Sequence, residues 1–208
     1  MLKSLSALSV AALVALSTPV LAQDTASDTA ETTEAESDAP KNENLLDLGQ
    51  PVNDGPQLGE RYSKATHGDW DLACIKTEAE TDPCSLLQIL NGSDGNPMAE
   101  FSLFRLEGGG QAVAGATIIV PLETLLPAQL TIAVDNAAGK RYNYSFCNPI
   151  GCIAQIGLTA EDIAAFKKGS KAVLTLVPAP APDQQINLEL SLSGFTAGYN
   201  AVDVVQNN

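Results

Sequence analysis

A single histidine, His67, stands among the 208 residues, so any Ser-His-acid or Cys-His arrangement would have to be built on it. It lies in "KATHGDWDLAC", beside a glycine and just before the first expected strand, where a surface or packing role is the better reading. The G-x-S-x-G elbow of the α/β-hydrolases is missing. "GQAVAGAT" spaces Gly110 and Gly115 as a phosphate loop does, but Ala116 stands where the lysine must neutralise phosphate. No glycine trio has dinucleotide spacing, and no strand-helix-strand unit surrounds one. Bases are scarce too, with 11 Lys and Arg against 25 Asp and Glu and a net charge of −14, so no basic patch exists to displace counterions from nucleic acid. The sequence therefore predicts no enzyme, no catalytic or metal residue and no cofactor.

Long apolar runs are also lacking, except at the start. There Lys3 precedes an apolar stretch from Leu5 to Leu16, and "STPVLAQ" sets small residues around a cut after Ala22. The stretch is short for an anchor across a 30 Å hydrocarbon core and is followed by acids rather than bases, so residues 1–22 read as a secretory signal peptide. No cysteine follows the cut to carry a lipid, and no later segment is apolar enough for a transmembrane helix. The expected location is the periplasm or outer envelope. Residues 23–60 carry ten acids and one lysine with few large apolar groups, the composition of a disordered acidic arm. It reads as a solvating leader, with "NLLDL" the one stretch that would suit a docking element.

Residues 61–208 have the length of one domain with a real core. In "INLELSLSGF", Ile186, Leu188, Leu190 and Leu192 alternate with polar residues, the period of a half-buried strand. "KAVLTLVP" is its neighbour, and Pro178, Pro180 and Pro182 between them make a stiff connection rather than a polyproline ligand. Further strands are expected in "DWDLACIKT", "CSLLQIL", "AEFSLFRL", "QAVAGATIIV", "LTIAVD", "RYNYSFC" and "CIAQIGL", divided by turns at "NGSDGNP", "EGGG" and "DNAAGK". One helix is predicted in "TAEDIAAFKKG", capped by Thr159 with Asp162 three residues on, ending in Lys167 and Lys168 with Gly169 past the last turn. The fold class that follows is mainly β: a single antiparallel β-sandwich-like domain with one short α-helix.

The acids offer little chemistry. Glu161 and Asp162 are neighbours that do not share a helix face, and capping explains them. Asp69 and Asp71 flank Trp70 and would share a strand face, too few oxygen ligands for calcium. The cysteines remain, Cys74, Cys84, Cys147 and Cys152. Cys74 and Cys84 are too far apart for a zinc pair, and Cys147 and Cys152 form no C-x-x-C at a helix start. With Pro149 and Ile150 as a two-residue loop, Cys147 faces Cys152 across a hairpin. Tyr142, Tyr144 and Phe146 then point together toward the core. Of three pairings, locality selects 74 with 84 and 147 with 152, and a redox role for the tighter pair stays open.

"HGDWDLACIKT", "DPCSLLQIL", "NPMAEFSLF", "AGATIIVPLETLLP", "KRYNYSFCNPIGCIAQIGLT" and "APDQQINLELSLSGFTAGYNAV", in that order, resemble the invasion-associated locus B family of alphaproteobacteria over about residues 61–205. The resemblance implies an exported envelope β-protein, and one family member is tied to invasion of host red cells. It brings no catalytic residues. The expected function is a non-enzymatic binding module for an envelope or host-surface protein, presenting "PLETLLPAQL" and "GFTAGYNAV", the latter also readable as a closing strand. The other readings are a thiol-disulfide enzyme using Cys147 and Cys152, and an envelope chaperone or lipid carrier.

Overall fold

The alternation in "INLELSLSGF" becomes strand β11, Ile186–Ser191, with Leu188 and Leu190 wholly buried and Asn187 and Glu189 exposed. It belongs to a computed structural model that describes residues 49–52, 55–108 and 110–205; the expected signal peptide and the expected acidic arm up to residue 48 lie outside the described residues. Val52–Asn208 form one compact unit. Gly59 and Glu60, counted with the arm, are hydrogen-bonded to Lys76: Gly59 N–H donates to Lys76 O and Lys76 N–H to Glu60 O.

A large sheet holds, in order, β1 (Arg61–His67), β2 (Trp70–Ile75), β3 (Cys84–Asn91), β4 (Pro97–Leu106), β5 (Ala112–Val120), β9 (Gly151–Thr159) and β8 (Phe146–Asn148). An eighth short strand, β12 (Val204–Val205), runs parallel to the end of β4, where every other pairing described is antiparallel. The second sheet is β11, β10 (Lys171–Leu176), β6 (Leu130–Val134) and β7 (Lys140–Tyr142). Both sheets feed one apolar cluster, with Trp70, Leu86, Phe101 and Ile118 from the large sheet and Leu130, Leu174 and Leu188 from the small one. Gln88 ties the sheets: its Nε2 donates to the carbonyls of Asp69 and Ser191, and its Oε1 accepts from Ser191 N–H. A buried amide with its partners met is not a liability.

Helix α1, Ala160–Lys168, starts with a full capping box. Thr159 Oγ1 accepts from Asp162 N–H, and Asp162 Oδ2 accepts from Thr159 N–H at 2.9 Å. Gly169 departs from expectation: its φ of −71° is not left-handed, and a Cβ there would meet Val134 Cγ1 at 2.6 Å. Glycine is needed for close packing, not for backbone twist.

Three further expectations need correction. "GFTAGYNAV" is neither strand nor open loop but a second helix, α2 (Phe195–Ala201), whose Phe195, Gly198 and Tyr199 are buried. Buried positions at i, i+3 and i+4 are a helical face, hidden in the sequence by its brevity and two glycines. "RYNYSFC" is not one strand: it splits into β7 and β8, which lie in different sheets, so Phe146 is half exposed while Tyr142 and Tyr144 pack on the core. His67 does not precede the first strand. It ends β1, paired with Trp70, with Gly68 and Asp69 as the turn between.

Candidate functional site

At the end of the large sheet, "CNPIGC" forms the expected hairpin, with Cys147 opposite Cys152 and Asn148 opposite Gly151. Asn148 Oδ1 accepts from Ile150 N–H at 3.0 Å, an Asx turn that fixes the tip. Gly151 is required: φ is +148°, and a Cβ would collide with the carbonyl of Val120 on β5. The structure joins Cys147 to Cys152 and Cys74 to Cys84, each with Cα atoms 4.0 Å apart, and leaves no described cysteine free. Cys152 is buried while Cys147 is exposed at the sheet edge. Strands flank both, so no helix dipole is present to favour a thiolate.

Cys74 and Cys84 close the loop between β2 and β3, and a residue that sequence reasoning passed over organises that loop. Asp82 accepts from Thr77 N–H at 2.8 Å, Thr77 Oγ1 at 3.1 Å, Tyr62 Oη at 2.8 Å and Lys76 Nζ at 3.2 Å. These donors, the Thr77 amide foremost and the Tyr62 hydroxyl next, hold the Asp82 carboxyl well below the usual carboxylate range. The spacing Thr77 to Asp82 inside a disulfide loop was the only sequence signal. A depressed pKa stabilises the fold fully above the unfolded value of about 4, and the contribution is lost as pH falls through the lower folded value. Asp82→Asn should melt lower than wild type at neutral pH, with the gap narrowing toward about pH 3. A gap in melting midpoint that stays constant across that range would contradict the role given to Asp82.

The remaining candidates are placed apart. Asp71 accepts from Ser63 Oγ on β1, whereas Asp69 sits in the turn and accepts from Ser191 Oγ, so the two do not share a strand face. Among the described residues no cluster of His, Cys, Asp and Glu is arranged to hold a metal. His67 buries Nε2 without a hydrogen-bond partner among the described residues. Asp162 is engaged by the capping box and by Lys140 Nζ; burial raises its pKa, but the hydrogen bonds from Lys140 and Thr159 together outweigh it and leave it lowered.

One row of what the sheet turns outward is apolar. Pairing sets Phe146 beside Ile153, Ile153 beside Ile119, Ile119 beside Glu100 and Glu100 beside Ile89, so one outward row crosses β8, β9, β5, β4 and β3. Ile153 within the row is covered by its neighbours, whereas Phe146 is 48% and Ile89 44% exposed, and Ile150 at the hairpin tip is 69% exposed. Glu100, the one acid in the row, is closed off by two hydrogen bonds from Arg61, at 2.8 and 3.1 Å. Arg61, Ile89, Met98, Ile119 and Ile150 line a shallow groove there of about 430 Å³. Leu122 and Leu126, in "PLETLLPAQL", are exposed as well, while Thr124 of the same loop is buried and bridges Pro178. An antiparallel sheet with one solvated face normally turns polar residues outward, so this face is a candidate for contact. The near-continuous runs "LLQIL" and "GATIIV" put apolar residues on both faces of their strands, a pattern that does not by itself say which face is exposed.

No helix among the described residues is long and apolar enough to cross a membrane. The chain is similar to two proteins from Brucella abortus, strain 2308 and biovar 1 strain 9-941, each called an invasion protein B homolog. Each is 25% identical over 147 residues, covering 71% of this chain and 83% of the relative. The crystal structure of invasion associated protein b from Bartonella henselae has a similar fold, with a TM-score of 0.55 and 24% identity over 66% of this chain and 93% of that one. The profile of the family described as Invasion associated locus B (IalB) protein matches residues 70–203, from the core tryptophan on β2 to the residue before β12. The chain belongs to the invasion associated locus B family.

Proposed function

We propose that this chain is an exported, non-enzymatic module of the cell envelope that docks a second envelope protein through the outward face of the large sheet. The observation that carries this is the apolar row from Phe146 to Ile89 with Ile150 at its rim. Its single charged pair, Arg61 with Glu100, is internally satisfied, so the face suits an apolar, uncharged protein surface. A net charge of −14 disfavours anionic lipid and nucleic acid as the occupant. The two disulfides support an oxidising compartment, as does the signal-like start of the sequence. On this reading the cystines are clips that hold the edges of the face.

The test is site-specific photo-crosslinking in envelope extract, with the crosslinker at Ile150 or, as a control outside the row, at Lys168, the last residue of α1. One protein band should form from position 150 and not from 168. Ile89→Lys should reduce it at least tenfold without lowering the melting midpoint, as expected when a central apolar anchor is lost. No band from position 150, or equal crosslinking from both positions, would overturn the assignment. The double replacement Cys147→Ser and Cys152→Ser separates clip from redox centre. It should cost about 2 kcal/mol of stability while crosslinking survives, and turnover of a disulfide substrate by the native chain would favour the enzyme instead.

A further inference from the structure

Where α1 ends, three elements meet at one ring. Tyr199 of α2 packs against Phe195, with centroids 5.7 Å apart. The guanidinium of Arg105, near the end of β4, lies 5.5 Å from the Tyr199 centroid, and the ammonium of Lys167, in the last turn of α1, lies 4.6 Å from it. The chain has more than twice as many acids as bases. Yet the four ion pairs among the described residues involve Arg61, Lys76, Lys140 and Lys171, and neither Arg105 nor Lys167 takes part. Two cations share one aromatic ring in an acidic protein, and no carboxylate among the described residues pairs with either.

A ring quadrupole attracts each cation but does not cancel the repulsion between them. The α1 carbonyl end favours Lys167 without supplying a counter-ion. An oxyanion supplies what is missing: the planar Arg105 fork can bond two oxygens of a tetrahedral anion, and Lys167 adds a mobile point charge. The ring draws both cationic heads toward it, which reduces the conformational entropy lost on binding. A singly charged carboxylate would leave one cation unmatched.

We propose that Arg105 and Lys167, held on Tyr199, form a binding site for a doubly charged phosphate group. This site is separate from the apolar face and stands or falls independently of it. The phosphate has two sources, a free ion or a lipid headgroup, which the experiment distinguishes.

The experiment is titration of the folded, isotope-labelled chain with inorganic phosphate, and separately with phosphatidylcholine vesicles with and without phosphatidic acid. Inorganic phosphate should produce saturable NMR shifts centred on residues 105, 167 and 199. Acetate should produce far weaker ones. Arg105→Gln and Lys167→Gln should each weaken phosphate binding roughly tenfold, about one charged hydrogen bond's worth. Lys167→Glu should abolish binding, because it replaces one of the two cations with a charge that repels phosphate. Vesicle binding that depends on phosphatidic acid and is lost in Lys167→Glu assigns the phosphate to a lipid. Binding of phosphate without vesicle binding assigns it to a soluble ligand. Diffuse, non-saturating shifts, or saturable binding unchanged in both glutamine variants, overturn the site.

Discussion

Phe195→Ala should cost about 3 to 5 kcal/mol, enough to threaten folding of a domain of this size. The ring is wholly buried and touches aromatic neighbours on three elements: Trp70 at 5.4 Å, Phe166 at 5.3 Å and Tyr199 at 5.7 Å between centroids. The Trp70 and Phe166 contacts are edge-on, the arrangement that adds about 0.5 to 1.5 kcal/mol per pair to area burial. Helix α2 has seven residues including Gly198, too few to persist without tertiary packing. Truncating its first residue should therefore release the helix as well as open a cavity. Trp70 is the only tryptophan and is 1% exposed, so its emission reports the change directly. A red-shifted spectrum and a much lower urea midpoint are expected. Phe146→Ala is the control, because that ring is half exposed and should cost only about 1 kcal/mol. Equal losses in the two variants would mean that the aromatic cluster does not anchor the helix.

The parts of this fold that were legible in sequence are those in which local pattern and tertiary role agree. Strict alternation located β11, and Thr159 with Asp162 located α1, because side-chain direction and capping are decided within a few residues. The "CNPIGC" hairpin was legible for the same reason, since turn chemistry fixes its register. Strand β1 was not: "RYSKATH" is an edge strand, mostly exposed and bulged between Ser63 and Ala65, so no apolar period marks it. β7 and β8 were merged because the switch between sheets at residues 143–145 depends on what lies on either side, not on those residues. Of the candidate site, the cysteines were visible and the apolar face was not, since a continuous run such as "GATIIV" looks the same whether its second face is buried or exposed. Asp82 and the pair on Tyr199 needed three dimensions, because their partners come from separate elements.

Gly194→Ala should be the other severe single change, at about 2 to 5 kcal/mol, combining backbone strain with a forced displacement. Gly194 caps α2 in the left-handed conformation, with φ at +82°, which costs an L-residue about 1 to 2 kcal/mol by itself. Space is the larger obstacle. A Cβ at Gly194 would fall on the carbonyl of His67 and 2.7 Å from the amide nitrogen of Gly68. Gly68 mirrors the constraint, with φ at +60° and a Cβ that would lie 2.5 Å from Ser193 O. The turn between β1 and β2 thus crosses the start of α2 backbone to backbone, and Asp69 N–H donates to Ser193 O at 3.2 Å across the crossing. Backbone cannot rotate away as a side chain can, so relief would require moving the turn or the helix. Gly95→Ala isolates the conformational part, since Gly95 has nearly the same φ, +81°, and nothing within 4 Å of its Cβ position. That variant should lose only about 1 kcal/mol. Chemical denaturation of the two variants side by side gives the cost of the crossing as the difference. If Gly194→Ala lost no more than Gly95→Ala, the turn and the helix would be free to separate, and the packing of α2 would rest on Phe195 and Tyr199 alone.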